Sequence, residues 1–366
     1  MEYTAMEQYW IWLSSVEGIG PRKFYQLLTI FEDARDVWDN IHDSAIDAIG
    51  PVAARKLRKA RDERVFYRLF ASLESTNTRA IARIHDDYPA MLNEILDPPP
   101  TLFLRGNAQS LNADKAIGIV GSRRATTDGR RAAEEFARDL AAQGVTIVSG
   151  LARGIDTHAH QGALSADGST VAVLGCGPDV AYPPENARLA QQILDKGGAL
   201  VSEHPPGTPP VPQNFPPRNR IISGLTQGTL LVEAAKGSGA MITVDFAADQ
   251  GKELFVVPGS IYSPLSAMPN RLLMDGAHPA LNAWDILEFY RWACRDSRPA
   301  PEKNALQDLE PDQQALVEPL LSETLSFDEL QRITGLSPAK LNSHLTMLIL
   351  RGIIVKTPGG LYRAYQ

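Results

Sequence analysis

The chain has 366 residues, of which 44% are hydrophobic and 22% charged, a composition typical of a large globular domain with smaller ones attached. The formal net charge of −7 argues against a surface that coats nucleic acid indiscriminately, so any polyanion site must be a local basic patch. No apolar run reaches the roughly 18 to 20 residues that a membrane helix needs, and the first ten residues lack a signal-peptide pattern. We therefore expect a cytoplasmic protein.

Its two cysteines, Cys176 and Cys294, are too few for an ordinary zinc site, and we expect buried or half-buried thiols.

The first region, residues 1–100, is predicted to be helical because its apolar residues recur at helical spacing between Gly/Pro breaks. Residues 17–21 and 48–51 each contain Ile-Gly-Pro followed by a basic, apolar helix. This pattern is similar to a SAM-like or helix-hairpin-helix domain, in which the glycine turn offers backbone N–H groups to a DNA phosphate. Alternatively, the glycines only make the tight turns of a small helical bundle. Residues 55–68 carry seven Lys/Arg against two acidic residues, and the Asp-Pro-Pro-Pro segment at 97–100 is expected to be a stiff linker.

The second region, residues 101–295, alternates apolar β-branched runs with amphipathic stretches such as residues 129–143 and 186–196. Six buried strands with helices between them predict a parallel sheet covered on both faces, as in a Rossmann-like α/β domain. The predicted strands are residues 116–120, 145–148, 170–174, 199–202, 229–232 and 254–257.

After a polar linker at residues 296–304, the third region, residues 305–366, is predicted to be a winged helix. It contains five Lys/Arg against seven Asp/Glu, which is a poor charge balance for a reader of duplex DNA. A role in protein contacts or in regulation is therefore an alternative. The pattern predicts helices at 312–321 and 327–334, a turn at Gly335, a helix from Ser337-Pro338 to Leu350, and wing strands at 352–355 and 361–364.

Small and basic residues follow three of the predicted strands. In an open parallel sheet, ligands bind beyond the carboxyl ends of the strands, and glycines there let the backbone approach a phosphate. The segments are residues 121–124, 149–156 and 175–179. With their arginines, they predict a polyphosphate ligand. The alternative for each segment alone is an ordinary glycine-rich turn.

The nucleotide fingerprints are absent from these turns. Gly175-x-Gly177 has Val180 where the third glycine of a dinucleotide motif belongs, and Gly251-Lys252 is followed by an acidic residue. The sequence therefore predicts neither a dinucleotide cofactor nor a P-loop ATPase, and we expect no cofactor.

The segment at residues 205–217 is unusual because seven of its thirteen residues are proline, which favours an extended, ordered loop. It presents Phe215, followed by Arg218-Asn219-Arg220. An exposed aromatic ring beside guanidinium groups suits stacking on an unpaired base with phosphate contacts. The alternative is that Phe215 fills the core and the arginines pair with carboxylates.

Catalysis and metal binding have little support in the sequence. Ser122, Ser149 and Ser223 have no evident His and Asp partners. His158 and His160 are two residues apart, which places them on different faces of a helix. We therefore predict no catalytic residue, and no metal site among Asp156, His158, His160, Glu203 and His204.

Several motifs in residues 101–280 resemble, in the same order, the DNA-processing protein A (DprA/Smf) family. They are Gly121-Ser122-Arg123, residues 149–156, residues 173–186 with Tyr182-Pro183, residues 202–207, Phe215 to Leu225, residues 232–235, residues 256–259 and residues 270–277. Longer members of the family also have the flanking helical and winged-helix domains.

This resemblance implies a homodimeric protein, without enzymatic activity, that binds single-stranded DNA. It further implies that the protein protects incoming DNA, helps displace single-strand-binding protein, and loads the recombinase RecA during natural transformation. The implied DNA contacts are Gly121, Ser122, Arg123, Phe215, Arg218, Asn219 and Arg220, and the glycine turns at Gly150, Gly154, Gly175 and Gly177 are expected to shape the pocket. Arg124, Ser149, Arg153 and Asn186, from the same segments, complete the predicted DNA-binding residues.

The alternative function is a nucleotide-processing enzyme. Gly228-Thr229 followed by Glu233 is similar to part of the Gly-Gly-x-Gly-Thr…Glu motif of lysine-decarboxylase-like phosphoribohydrolases. Residues 225–227 do not supply the paired glycines of that motif.

Overall fold

The structure is a computed structural model that describes residues 3–40, 48–292, 309–321, 323–350, 353–356 and 360–364. The chain forms two units, Met1–Ala293 and Cys294–Gln366. Cys294 and the linker expected at residues 296–304 lie outside the described residues.

The amino-terminal residues form the predicted set of helices. Both Ile-Gly-Pro breaks begin a helix, with Pro21 and Pro51 at the first helical position, where a missing N–H group costs nothing. Gly50 has a φ of 80°, which favours glycine there. The helices bury an aromatic core that includes Trp12 and Phe24. Their bounds are α1 Ala5–Ser15, α2 Pro21–Leu28, α3 Ala34–Asn40, α4 Pro51–Ala60 and α5 Glu63–Ser75.

Residues 98–100, which we expected to be a linker, are a buried junction between these helices and the sheet. The indole N–H of Trp10 donates to the carbonyl of residue 100 at 2.6 Å. The hydroxyls of Tyr25 and Tyr88 donate to the carbonyls of residues 98 and 99 at 3.2 and 2.7 Å. Proline has no N–H group of its own, so only the carbonyls of this segment need partners, and aromatic donors satisfy all three. The junction therefore holds the helices against the sheet.

The central sheet confirms the predicted α/β architecture and adds an antiparallel edge to it. The strand order is β1-β2-β6-β5-β4-β3-β7-β8-β9, and the pairs from β6 to β9 are parallel. The pairs β1–β2 and β2–β6 are antiparallel, so the sheet is mixed, and β1 lies within the first hundred residues, which we expected to be helical. The strands are β1 Arg79–Ala82, β2 Thr101–Gly106, β3 Ala116–Val120, β4 Thr146–Ser149, β5 Thr170–Leu174, β6 Ala199–Ser202, β7 Gly228–Leu231, β8 Glu253–Val256 and β9 His278–Pro279.

Helices cover both faces of this sheet. One core layer includes Val201 and Ile221, and the other includes Ile117, Phe136 and Phe255. None of the helices in the described ranges is long and apolar enough to span a membrane. The helices of this part are α6 Ala90–Asn93, α7 Thr127–Ala142, α8 Ile155–Ser165, α9 Ala187–Asp195, α10 Phe215–Gly224, α11 Ala240–Asp249, α12 Ala267–Met274 and α13 Ala283–Phe289.

The carboxy-terminal unit has the predicted winged-helix pattern. Gly335 ends its second helix with a φ of 67°, in the left-handed conformation that commonly terminates helices. Two short antiparallel strands form the wing, and leucines such as Leu330 and Leu345 form the core. Of the predicted wing, Gly352 and residues 358–359 lie outside the described residues. The elements are α14 Pro311–Leu320, α15 Phe327–Thr334, α16 Pro338–Leu350, β10 Ile354–Lys356 and β11 Tyr362–Ala364.

Candidate functional site

A cleft of about 510 Å³ opens at the carboxyl ends of β3 and β7. The chain passes from β3 through β4 and β5 to β6 on one side, then returns to place β7 on the other side of β3. Such a switch point leaves a crevice between the loops that follow the two strands. The residues lining the cleft are Val120, Gly121, Ser122, Arg123, Arg124, Ala152, Asp156, Phe215, Pro216, Arg218, Asn219, Ile222, Ala235, Lys236, Gly237, Ser238, Gly239, Ala240, Ile242, Thr243 and Leu265.

The loop after β3 is held by its backbone and presents two arginines. The N–H group of Ser122 donates to the carbonyl of Glu233 at 2.7 Å, and the N–H group of Arg124 donates to Oγ of Ser122 at 3.1 Å. Gly121 is in close contact with Ile155, because a Cβ atom there would lie 2.5 Å from Cγ1 of that side chain. Arg123 and Arg124 themselves are exposed. A fixed backbone thus carries two solvent-facing cations at the cleft.

The loop after β4 wraps around a buried carboxylate. Oδ2 of Asp156 accepts hydrogen bonds from the N–H groups of Gly150 at 3.1 Å and Ala152 at 3.3 Å. Burial raises the pKa of Asp156 to about 6, although the nearby Arg218 guanidinium opposes this rise. Gly154 has a φ of 76°, and a Cβ atom there would lie 2.2 Å from the carbonyl oxygen of Ser122. The two loops therefore fit together only with glycine at this position.

Arg218 forms part of the floor of the cleft. Its side chain is 4% exposed, and Nη1 donates to the carbonyl of Gly150 at 2.8 Å and also to the carbonyl of Val173. Burial lowers the pKa of Arg218 to about 10, while Asp156 opposes this shift, so the guanidinium stays charged at neutral pH. The charge contributes to the potential of the cleft, but a ligand reaches only the edge of this side chain.

Phe215 begins α10 and is half-buried. Its ring lies against Gly175, where a Cβ atom would be 2.9 Å from Cδ1 of the phenylalanine. The ring centroid is 5.3 Å from that of Tyr182 and 6.0 Å from Cζ of Arg218. Phe215 therefore supports the loop after β5 and also lines the cleft, so it combines features of both interpretations of the proline-rich segment. The segment itself is only partly extended, because it turns at residues 206–207 and becomes helical from residue 212.

Arg220 does not fit its predicted role as a DNA contact. Its side chain is 2% exposed, and Nη1 and Nη2 donate to the two carboxylate oxygens of Glu203 at 2.9 and 2.7 Å. Nε also donates to the backbone carbonyl of Asp97 at 3.0 Å. Every donor-bearing nitrogen is engaged, which agrees with the alternative interpretation that the arginine pairs with carboxylates. Asn219, between the two arginines, lines the cleft.

Other predicted site residues support the cleft from outside its lining. Ser149 donates to the carbonyl of Ile119 at 2.6 Å, and Asn186 donates to the carbonyl of Leu151 at 2.8 Å. Both side chains are buried. Gly177 leaves room for the backbone of Pro205 and Gly207, as a Cβ atom would lie within 2.9 Å of both.

Arg153 is exposed but forms an ion pair with Glu185. It therefore lies at the surface with its charge already countered, and it does not line the cleft.

One side of the cleft was missed in the sequence analysis. Residues 235–239, Ala-Lys-Gly-Ser-Gly, connect β7 to α11, and Lys236 is exposed. The signal was available, because a lysine within a glycine-rich stretch before a helix is a recurring anion-binding pattern. Within the described part of the chain, the side chains of Arg123, Arg124 and Lys236 form no ion pair, so three exposed cations surround the cleft.

Glu233, the residue that suggested a phosphoribohydrolase, is engaged in the fold. It is buried, and its carboxylate accepts hydrogen bonds from the N–H group of Thr126 at 2.9 Å and from the hydroxyl of Thr126 at 2.5 Å. Thr126 in turn caps α7 by accepting a hydrogen bond from the N–H group of Gly129. Both carboxylate oxygens of Glu233 thus hold the start of a helix.

The histidines considered as metal ligands each contact a different residue. His160 is buried against the hydroxyl of Thr170 at 2.7 Å, and burial lowers its pKa to about 3. His158 lies 3.3 Å from Glu134. Among the described residues, no three His, Cys, Asp or Glu side chains are grouped so as to hold a metal ion. Cys176 is buried, and burial raises the pKa of its thiol to about 11.

Comparison with known proteins identifies two families of domains in this chain. The DNA recombination-mediator protein A family matches residues 79–291, and the DprA winged helix domain matches residues 300–360. The chain is 40% identical to the protein Smf of Escherichia coli strain K12 over 298 residues, which cover 80% of this chain and 79% of that protein. It is 39% identical to the DNA processing protein DprA of Bacillus subtilis over 221 residues, covering 60% and 74% of the two chains.

Solved structures agree with this relationship. The X-ray structure of DNA processing protein A from Streptococcus pneumoniae superposes with a TM-score of 0.65 at 32% identity, covering 79% of this chain and 98% of that one. DNA processing protein A from Helicobacter pylori, described for its single-stranded DNA binding mode, superposes with a TM-score of 0.53 at 28% identity over 58% of this chain and 95% of that one. This chain belongs to the DprA/Smf family of DNA recombination-mediator proteins.

Proposed function

We propose that this chain binds single-stranded DNA in the cleft at the carboxyl ends of β3 and β7. The observation that carries the proposal is the combination of three exposed cations, Arg123, Arg124 and Lys236, with the half-buried ring of Phe215. Cations neutralise phosphates and release their counterions, and an aromatic side chain stacks on any base.

A single strand fits this arrangement better than a duplex. The ring of Phe215 reaches a base face only when that base is unstacked, and duplex bases present their faces to one another. The backbone at Gly237 and Gly239 has no side chains to keep phosphates away, and the Cβ position of each faces open space. The Helicobacter pylori relative is described as binding single-stranded DNA, which supports the same ligand class for this family member.

The proposed biological role follows from membership of the family. We infer that the chain acts as a cytoplasmic recombination mediator and not as an enzyme, and that it protects incoming single strands during natural transformation. Its protein partners would be the recombinase RecA, which it loads, and single-strand-binding protein, which it helps displace. A strand-exchange assay with RecA and DNA precoated with single-strand-binding protein tests this role: the chain should shorten the delay before exchange, and no change in that delay would contradict it.

We further propose that the chain forms a homodimer through the β9 end of the sheet. β9 is an edge strand, and Met274 and Leu281 on either side of it are 83% and 75% exposed. Ile261 and Tyr262, in the loop after β8, are 82% and 89% exposed. Large apolar side chains concentrated at one end of a sheet are typical of protein interfaces. Sedimentation of Ile261→Asp should show a monomer where the unmodified chain shows a dimer.

The DNA-binding proposal is tested by titrating fluorescent oligo-dT and a duplex of equal length with the full chain. We expect affinity for the single strand to exceed that for the duplex by at least about tenfold at the same salt concentration, because the stacking contribution is lost with paired bases. Equal affinities would show that the cleft binds polyanions in general, without a preference for single strands. Release of base or ribose phosphate from nucleoside monophosphates would instead favour the alternative function, a nucleotide-processing enzyme.

A further inference from the structure

A second groove adjoins the cleft and leads from it to the amino-terminal helices. Its volume is about 490 Å³, and it shares Pro216 and Ile242 with the lining of the cleft. One wall is formed by α10 and α11, and the other by residues 18–23 at the start of α2. A chain molecule that leaves the cleft over Pro216 therefore enters this groove directly.

The two walls of the groove have complementary chemistry. Arg22 is exposed and Lys23 is half-buried on the helical wall, and within the described residues neither side chain has an ion-pair partner. The half-buried ring of Phe246 lies on the opposite wall. The groove thus repeats the combination found in the cleft, namely free cations facing an aromatic ring.

The acidic groups near the groove are partly neutralised by Arg220. Oδ1 of Asp97 lies 3.4 Å from Nε of Arg220, which also forms the bidentate pair with Glu203. These three side chains form a closed network with one excess negative charge, and Arg22 with Lys23 add two positive charges. The groove is therefore net cationic, as phosphate binding requires.

The helical wall is fixed relative to the cleft. Tyr25 lies on the same helix as Arg22, and its hydroxyl donates to the carbonyl of residue 98 at 3.2 Å within the buried junction. Trp10 and Tyr88 anchor the two following carbonyls of that junction. The cations of α2 therefore do not need to be brought to the groove when a ligand binds, so little ordering entropy opposes their contacts.

We infer that a single strand lying in the cleft continues over Pro216 into this groove, with phosphates at Arg22 and Lys23 and a base against Phe246. The inference rests on the proposed function of the cleft and assigns the amino-terminal helices to the DNA path. It makes the length of the strand decisive, because a short strand fills the cleft alone and a longer one also fills the groove.

The test compares Arg22→Glu/Lys23→Glu with a matched control, Arg105→Glu/Lys115→Glu. Both control residues are partly exposed cations. Arg105 lies near the end of β2, paired with Leu200 of β6, and Lys115 immediately precedes β3, so both are at the edge of the sheet opposite the cleft. Both variants and the unmodified full chain are titrated with oligo-dT of about 6 and about 20 nucleotides, lengths that bracket the site sizes of many single-strand binders.

We expect the groove variant to lose about tenfold in affinity for the long strand, and its salt slope to shrink by roughly 1.4, or 0.7 for each lost phosphate contact. Its affinity for the short strand should match that of the control. An equal affinity of groove variant and control for the long strand would overturn the inference, and so would an equal loss with both lengths.

A failure of the proposed function is distinguishable from these outcomes, because the unmodified chain would then bind neither strand. Melting temperatures show whether the variants remain folded. Arg22→Gln/Lys23→Gln introduces no repulsion and should shrink the salt slope by the same roughly 1.4 units. An unchanged slope in that variant also overturns the inference.

Discussion

Phe215 serves both the fold and the cleft, so its two contributions need to be separated. Phe215→Leu retains an apolar side chain against Gly175 but removes the aromatic face. We expect it to weaken oligo-dT binding by about 1–3 kcal/mol, the usual value of one stacked base. The free energy of unfolding should fall by less than about 1.5 kcal/mol, as for other large apolar exchanges. Fluorescence titration and urea unfolding measure the two quantities.

The matched control is Phe255→Leu, at a residue that is 1% exposed in the core of the sheet. This variant should lose stability while its folded fraction binds oligo-dT normally. If Phe215→Leu behaves in the same way, the ring of Phe215 acts only in packing.

Asp156 gives the fold a pH dependence of unusual sign. Burial raises its pKa to about 6 from the ordinary 3.8, so the folded protein binds this proton more tightly than the unfolded chain does. Its contribution to stability is therefore fully present below the unfolded pKa and is lost as the pH rises through about 6. A shift of this size corresponds to about 3 kcal/mol. Asp156→Asn should remove this decline, as measured by urea unfolding between pH 4 and pH 7.

Asp128→Asn, at an exposed position in the first turn of α7, is the control and should keep the pH dependence of the unmodified chain. The same decline in Asp156→Asn as in this control would show that another group causes it.

At the residue scale, the sequence predicted the exposed cations better than the buried ones. Arg123 and Arg124 follow a recognisable strand, and a position at the carboxyl edge was enough to place them at the cleft. Arg220 was misassigned because its partner, Glu203, lies 17 residues away on another element, and no local pattern indicates that pairing. Lys236 was missed because its loop follows a strand whose end had not been considered as part of the site.

The start of α8 is where backbone geometry sets the shape of the cleft. Gly154→Ala places a Cβ atom 2.2 Å from the carbonyl oxygen of Ser122, at a φ of 76°. We expect a loss of about 3 kcal/mol or more in unfolding free energy, because contact and backbone strain add. Oligo-dT binding should weaken as well, since the strained contact displaces the loop that carries Arg123.

Gly144→Ala separates these effects. Gly144 has nearly the same φ, 75°, but its Cβ position is open, so the cost should be only about 1–2 kcal/mol with unchanged DNA binding. Equal losses of stability and binding in the two variants would rule out the contact as the cause.

Among the elements, the parallel strands were predictable and the antiparallel edge was not. β3, β5 and β6 have the predicted bounds, because strands buried on both faces are continuous apolar runs. β1 and β2 carry Arg79 and Arg105 near their ends, which interrupts the apolar pattern, and their pairing depends on contacts distant in sequence. Residues 98–100 look like a linker in sequence, and hydrogen bonds from the side chains of Trp10, Tyr25 and Tyr88 make them a junction.

In the whole molecule, we expect the first unit, Met1–Ala293, to bind DNA with little contribution from the winged helix. The acidic winged helix offers few cations, and Lys340 on α16 already pairs with Asp312. A chain ending near Arg295 should therefore keep its affinity for oligo-dT within about threefold, because few phosphate contacts are removed. Anisotropy titration at matched oligomeric state measures this. Abolished binding by a folded truncation would assign DNA contacts to the winged helix.

The central claim is that the cations around the cleft hold the strand, and Arg123→Glu tests it most directly. This variant loses a phosphate contact and adds a repulsion at an exposed position, so it should fold normally. Its affinity for oligo-dT should fall by more than about tenfold, and its salt slope should shrink by roughly 0.7, whereas Lys115→Glu at the opposite edge should match the unmodified chain. Unchanged oligo-dT affinity in Arg123→Glu would contradict the account.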